Sequence, residues 1–129
     1  MRGKTDGPEA LQDEALAAPL LAARAAEVKK AGDLCILDLR GISSFTDFFV
    51  ICSGTNQRQI QAISDEVELR MKKSGRRPLG IEGYEKADWV LADYGDIIVH
   101  VFSPAAREFY GLERLWRGAR PVPLPEEAG

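Results

Sequence analysis

The chain is short of the residues from which most catalytic centres are built. It has one histidine, His100. That residue alternates with Ile98 and Phe102 along an apolar stretch, and no serine or cysteine beside it has the setting of a nucleophile. A general base needs access to solvent and an orienting partner, so His100 fits a structural or contact role better. Cysteine is also scarce. Cys35 and Cys52 lie inside the apolar runs LCILDL and FFVICSG, where a thiol packs as a small hydrophobe. Nothing else points to secretion, so two reduced thiols are expected rather than a disulfide.

Metal-dependent phosphoryl or nucleotidyl transfer needs two or three converging carboxylates. An Asp-x-Asp or Asp-x-Glu pair on a strand would put two on one face, but none stands on an expected strand. Glu66 and Glu68 have that spacing within a helical pattern, where side chains two apart diverge. Ser53-Gly54-Thr55 resembles a glycine turn feeding a helix N-terminus, which can hold an anion. It lacks the following Lys-Ser/Thr of a P-loop, so capping and close packing are the expected roles. No cofactor and no metal site are implied.

No apolar run approaches the roughly 18 residues that a membrane span requires. The first residues carry Asp6, Glu9, Asp13 and Glu14, which argues against a mitochondrial transit peptide, and no apolar signal core follows. A cytoplasmic location is expected. There is no basic excess either. The net charge of −3 and pI near 5.2 exclude wrapping nucleic acid by charge alone.

What is present is one ordinary globular domain. At 129 residues the chain is long enough to bury a core. Residues 1–17 read as a flexible leader, 18–117 as the domain and 118–129 as a flexible tail. The tail has prolines at 121, 123 and 125 and little apolar bulk. A helix is expected from Pro19 to Ala31, ended by Gly32. Strands follow at Leu34–Leu39 and Phe48–Cys52. Thr55 or Asn56 caps a helix over Gln57–Lys73, whose Ile60, Ile63, Val67 and Met71 share one face. A short strand is expected around Pro78–Ile81. Asp88–Ala92 and Ile97–Phe102 form a hairpin turned by Asp93-Tyr94-Gly95-Asp96. Pro104 opens a last helix carrying Phe109, Tyr110, Leu112, Leu115 and Trp116. This order predicts an α/β (α+β) fold, a mixed sheet flanked by helices.

Charge is unevenly spread. Arg70, Lys72, Lys73, Arg76 and Arg77 sit together at the expected C-terminus of a helix, where cations are favoured by its dipole and by solvent. Contact with RNA is the lesser reading. Residues 82–96 carry Glu82, Glu85, Asp88, Asp93 and Asp96 against Lys86 alone, interleaved with Tyr84, Trp89 and Tyr94. Acids among exposed rings suit a surface for a basic protein. The plainer alternative is core rings with solvated acids.

The ordered motifs resemble the ribosomal silencing factor, or Iojap-like, family over about residues 18–116. They are Asp38-Leu39, Thr46-Asp47-Phe48-Phe49-Val50-Ile51, Ser53-Gly54-Thr55, Gln59 to Glu66, and Glu82-Gly83. Asp88-Trp89, Asp93-Tyr94-Gly95-Asp96, Val99-His100-Val101-Phe102, Arg107-Glu108-Phe109-Tyr110 and Leu112 to Trp116 complete the set. The resemblance implies a nucleotidyltransferase-like mixed sheet without the catalytic carboxylates, and therefore no enzyme. It implies binding to the large ribosomal subunit through a basic protein of its intersubunit face, the fourteenth large-subunit protein. There it would sterically block joining of the small subunit when nutrients are short. Assembly of the large subunit is the alternative, and a nucleotidyltransferase-like enzyme a remoter one. The candidate contacts carried over are Glu82, Gly83, Tyr84, Asp88, Trp89, Asp93, Tyr94, Asp96 and His100, with the basic run at the periphery against ribosomal RNA. Homodimerisation stays open.

Overall fold

The structure, a computed structural model, describes residues 13–125. Asp13 caps a short 3-10 turn, Glu14–Leu16, by accepting from the Ala15 N–H at 3.0 Å, and helix α1 follows at Ala17–Val28. The structured domain thus begins earlier than the expected leader boundary: Leu16 is buried in the core. Residues 1–12 of that leader lie outside the described residues. Helix α1 buries Pro19, Ala22, Ala23, Ala25 and Ala26. That stripe of small residues lets α2, Gln57–Lys73, pack closely across it. Helix α2 starts where Asn56 accepts the Gln59 N–H at 2.8 Å, and its Ile60, Ile63, Val67 and Met71 are all buried.

Among the described residues six strands make one sheet: β1 Gly32–Asp38, β2 Phe48–Ser53, β3 Gly80–Glu82, β4 Trp89–Asp93, β5 Ile97–Phe102 and β6 Arg120–Pro121. Their order is β3-β4-β5-β2-β1-β6. Only β2 and β5 pair in parallel, with Phe48 opposite Ile97 and Ser53 opposite Phe102; the other pairs are antiparallel. A parallel pair needs a long crossover, and α2 lies within it. Every residue of β2 and β5 is buried, as central strands covered on both faces must be. The mixed sheet flanked by helices is the architecture expected.

Alternation along the strands sorts side chains between two clusters. Ile36, Phe48, Val50, Cys52, Val90, Ala92, Ile97, Val99 and Val101 meet α1 and α2 on one face. Leu37, Phe49, Ile51, Ile98 and Phe102 meet two short helices on the other, α3 at Pro104–Tyr110 and α4 at Leu112–Leu115. Cys35 and Cys52 are both free, and they fall in opposite clusters. Burial pushes the Cys52 thiol up to about 12.

Two expectations need correction. The last helix does not run unbroken to Trp116. Gly111 adopts φ +58, a left-handed conformation that ends α3 and turns the chain into α4. Nor is the tail flexible from residue 118. Arg120 and Pro121 pair with Asp38 and Leu37 of β1, the Val122 N–H reaches the Ile36 carbonyl at 2.8 Å, and Ala119 is buried. Proline is tolerated because this is an edge strand, where one side needs no donor. An ionic knot ties both ends down: Arg40 holds Asp38 at 2.8 Å and Asp13 at 3.1 Å, and Arg120 reaches Asp38 at 3.5 Å. Arg40 keeps the Asp38 carboxyl below the usual carboxylate range. Residues 126–129 lie outside the described residues.

Candidate functional site

The nine expected contacts do not form one patch. Trp89 and Tyr94 are five residues apart, so strand alternation sends them to opposite faces of the sheet. Tyr94 is buried with the α1–α2 cluster, and burial pushes its phenol up to about 12. His100 is only 3% exposed. Neither side chain is on the surface. Gly83 is a backbone device: its φ is +81, and a Cβ there would stand 2.1 Å from the Trp89 carbonyl oxygen.

The acids of the hairpin are mostly committed within the molecule. Asp93 accepts the Gly95 N–H at 2.8 Å and so closes its own turn. Asp96 is ion-paired with Arg76. Asp88 accepts the Ser103 hydroxyl at 2.7 Å, and the Tyr84 hydroxyl donates to Asp65 at 3.0 Å. Glu82 is exposed. The basic run is likewise partly neutralised, because Arg70 pairs with Glu66 at 3.0 Å and Arg76 with Asp96. The Ser53-Gly54-Thr55 turn is occupied by the chain's own groups. Arg107 donates to Ser53 Oγ at 2.9 Å, and Gln59 Oε1 accepts from the Thr55 N–H at 2.7 Å. Among the described residues, no group of three or more His, Cys, Asp or Glu is placed to hold a metal ion.

A different surface stands out: the face under α3 and α4. These helices have seven and four residues, enough to bury the central strands but too few to bury their own large apolar side chains. Phe109 is 78% exposed, Leu115 73% and Phe45 57%, and Tyr110 is also exposed. Ring contacts run continuously across this face. Phe109 meets Tyr110 at 5.0 Å, Tyr110 meets Trp89 at 4.5 Å, and Trp89 stacks on Phe102 at 5.0 Å. Phe49 meets both His100, at 4.5 Å, and Trp116, at 5.9 Å; Trp116 in turn meets Phe45 at 5.9 Å. The chain of contacts passes through the buried Phe102, His100 and Phe49, and its two ends, Phe45 and Phe109 with Tyr110, lie exposed; exposed rings of this kind mark an interaction site. The exposed carboxylates Asp88 and Glu108 adjoin Trp89 and Phe109 in sequence. Arg107 fastens the arrangement, bridging Gly111 to grip Glu113 at 2.7 and 3.1 Å while it reaches Ser53.

Of these, Asp88 and Trp89 were among the contacts expected from the sequence; Phe45, Phe109, Tyr110 and Leu115 were not.

Such a domain presents a surface. A depression of about 500 Å³ lies between α1 and α2, lined by Leu21, Glu66, Arg70, Lys73 and Ser74 and away from the exposed rings. The class is a small mixed-sheet α/β protein with one sealed face and one aromatic face. The family model described as "Ribosomal silencing factor during starvation" matches residues 12–128, and the chain belongs to that family. It is 44% identical over 104 residues to a ribosomal silencing factor of Halalkalibacterium halodurans, covering 81% of this chain and 89% of that one. A crystal structure of a Chromobacterium violaceum protein superposes with a TM-score of 0.76 at 34% identity, covering 87% of this chain and 92% of the other. The mouse protein named "Mitochondrial assembly of ribosomal large subunit protein 1" is 34% identical over 91 residues, covering 68% of this chain and 40% of its own length.

Proposed function

We propose that this chain represses translation by docking on the large ribosomal subunit through its aromatic face, so that the small subunit cannot join. The observation that carries the reading is the large apolar side chains left exposed at the ends of this ring set and on α4, with Phe109 78%, Leu115 73% and Phe45 57% exposed. Family membership supports the ribosome as the partner. The basic fourteenth protein of the subunit's intersubunit face, implied by the resemblance, suits rings flanked by Asp88 and Glu108. Aromatic anchors give affinity, and complementary charge gives register and on-rate. Occupation is sufficient, and no turnover is required. The contacts differ from those expected on the hairpin: Tyr94 and His100 are not among them, and Asp88 and Trp89 are joined by Phe45, Phe109, Tyr110 and Leu115.

The test is co-sedimentation with purified large subunits, followed by addition of small subunits. The wild-type chain is expected to travel with large subunits and to prevent joining. Phe109→Ala and Leu115→Ala are each expected to weaken binding about tenfold, in the range of interface hot spots. Unchanged affinity in both variants would move the interface off this face. Free joining of small subunits to loaded large subunits would defeat the steric account.

A second reading, assembly of the large subunit, is favoured by the name of the mouse relative. It uses the same face. Immature large particles in a deletion strain, with normal subunit joining in extracts, would select it.

A further inference from the structure

His100 reads as a contact in the sequence, yet it is almost wholly buried. It lies at the junction of the ring set. Its own ring touches Phe49 at 4.5 Å, Trp89 at 5.9 Å and Phe102 at 6.0 Å. It thus joins the Phe45–Phe49–Trp116 group to the Trp89–Tyr110–Phe109 group. Trp89 Nε1 donates to His100 Nδ1 at 3.1 Å. An indole N–H can only donate, so Nδ1 must carry its lone pair and the imidazole proton must sit on Nε2. That Nε2 is buried and has no hydrogen-bond partner among the described residues.

A buried N–H without an acceptor is costly, and phenylalanine or leucine would fill the site without incurring that cost. What histidine supplies and they cannot is the acceptor for Trp89. Burial holds the imidazole neutral, with its proton affinity pushed down to about 3, so the acceptor persists at neutral pH. The strand holding Trp89 is fixed at its start as well: the Ser103 N–H reaches the Asp88 carbonyl at 2.9 Å and the Ser103 hydroxyl reaches the Asp88 carboxylate. This joins β4 to the first turn of α3, which carries Tyr110 against Trp89.

We propose that His100 is the positioning residue of the docking face, its Nδ1 holding the Trp89 indole in the orientation that the partner meets. The inference rests on the docking reading above. A half-buried indole with an unmade hydrogen bond would sample other rotamers or draw water to its N–H, and docking would have to reorder it. Fixing it beforehand removes that cost from binding.

The test uses the full chain with purified large subunits as probe. His100→Leu removes the acceptor but keeps apolar bulk. His100→Asn places a carbonyl oxygen close to where Nδ1 stood. His100→Leu is expected to weaken binding about fivefold, the equivalent of one net hydrogen bond, and His100→Asn to recover most of it. The free proteins carry a spectroscopic check. In a Trp116→Phe background Trp89 is the sole tryptophan; its emission should shift with His100→Leu and return with His100→Asn. If both variants bind as the wild type does, or both weaken equally in step with a lowered thermal midpoint, His100 is only packing and the inference fails. Trp89→Ala separates the two claims. Wild-type affinity in that variant would overturn the docking reading itself, whereas a loss there with none in His100→Leu would overturn only the positioning role.

Discussion

On one side of the sheet, the 12-residue α1 and 17-residue α2 press aliphatic side chains onto β2 and β5. On the other, helices of seven and four residues leave rings in solvent. Phe48 and Tyr94 are the buried aromatic rings of the closed face, with Tyr84 against α2 at its edge, while Phe45, Phe49, Trp89, Phe102, Phe109, Tyr110 and Trp116 cluster on the open one. The contrast has a physical sense. Long amphipathic helices exclude water and hold the fold together. Large, stiff rings with few rotamers give contact area at low entropic cost, which is of more use to a partner than to the core.

The contrast can be broken by mutation, and the largest effect is expected on the closed face. Ile63 is fully buried between α2 and the sheet, so Ile63→Ala should cost about 2–5 kcal/mol in denaturant unfolding. Subunit binding per folded molecule should be unchanged. Leu115→Ala should do the reverse, changing stability by less than about 0.5 kcal/mol because it is exposed, while affinity falls as stated above. If Leu115→Ala unfolds the chain, the open face is structural and the comparison fails.

Acid should sharpen the contrast through His100. Its proton affinity is lowered in the fold by burial, to about 3 from an ordinary 6.5, so the unfolded chain binds the proton first. The sign follows: nothing is lost at neutral pH, and stability falls as pH drops through the ordinary histidine range. The limiting slope is about 1.4 kcal/mol per pH unit, fading as the lowered value is approached. His100→Asn should remove that part of the acid slope. Unfolding midpoints at pH 7, 6 and 5 measure it, and an identical slope in both proteins would contradict a buried neutral imidazole.

The smallest effect is expected at the hairpin. Asp96 and Arg76 form a partly exposed pair, so Asp96→Asn should alter stability by less than about 0.5 kcal/mol and affinity by less than roughly twofold. A tenfold loss of subunit binding would return the acidic hairpin to the interface.

Local signals made much of the fold readable. Asn56 followed by four apolar residues at helical spacing marks α2 at the observed Gln57–Lys73, and unbroken apolar runs mark β2 and β5. Edge strand β6 was hidden because its pairing depends on the free edge of β1, not on its own proline-rich composition. The break at Gly111 was within reach, since a glycine inside a helical pattern is a C-cap signal. The site was harder. The hairpin was visible, and the side to which each of its residues points follows from counting. Which side remains uncovered does not.

The sequence by itself determined the main helices and the strands other than β6, their amphipathic faces, the absence of a carboxylate pair on the strands, and the ordered motifs that resemble the silencing-factor family. These are properties of neighbours along the chain. Only the tertiary structure decided that His100 and Tyr94 lie inside, that Asp96 is taken by Arg76, and that Phe45, from the loop before β2, lies against Trp116, from the chain's last third. Burial depends on what distant segments leave uncovered. Here that is set by how two long helices and two short ones divide a single sheet.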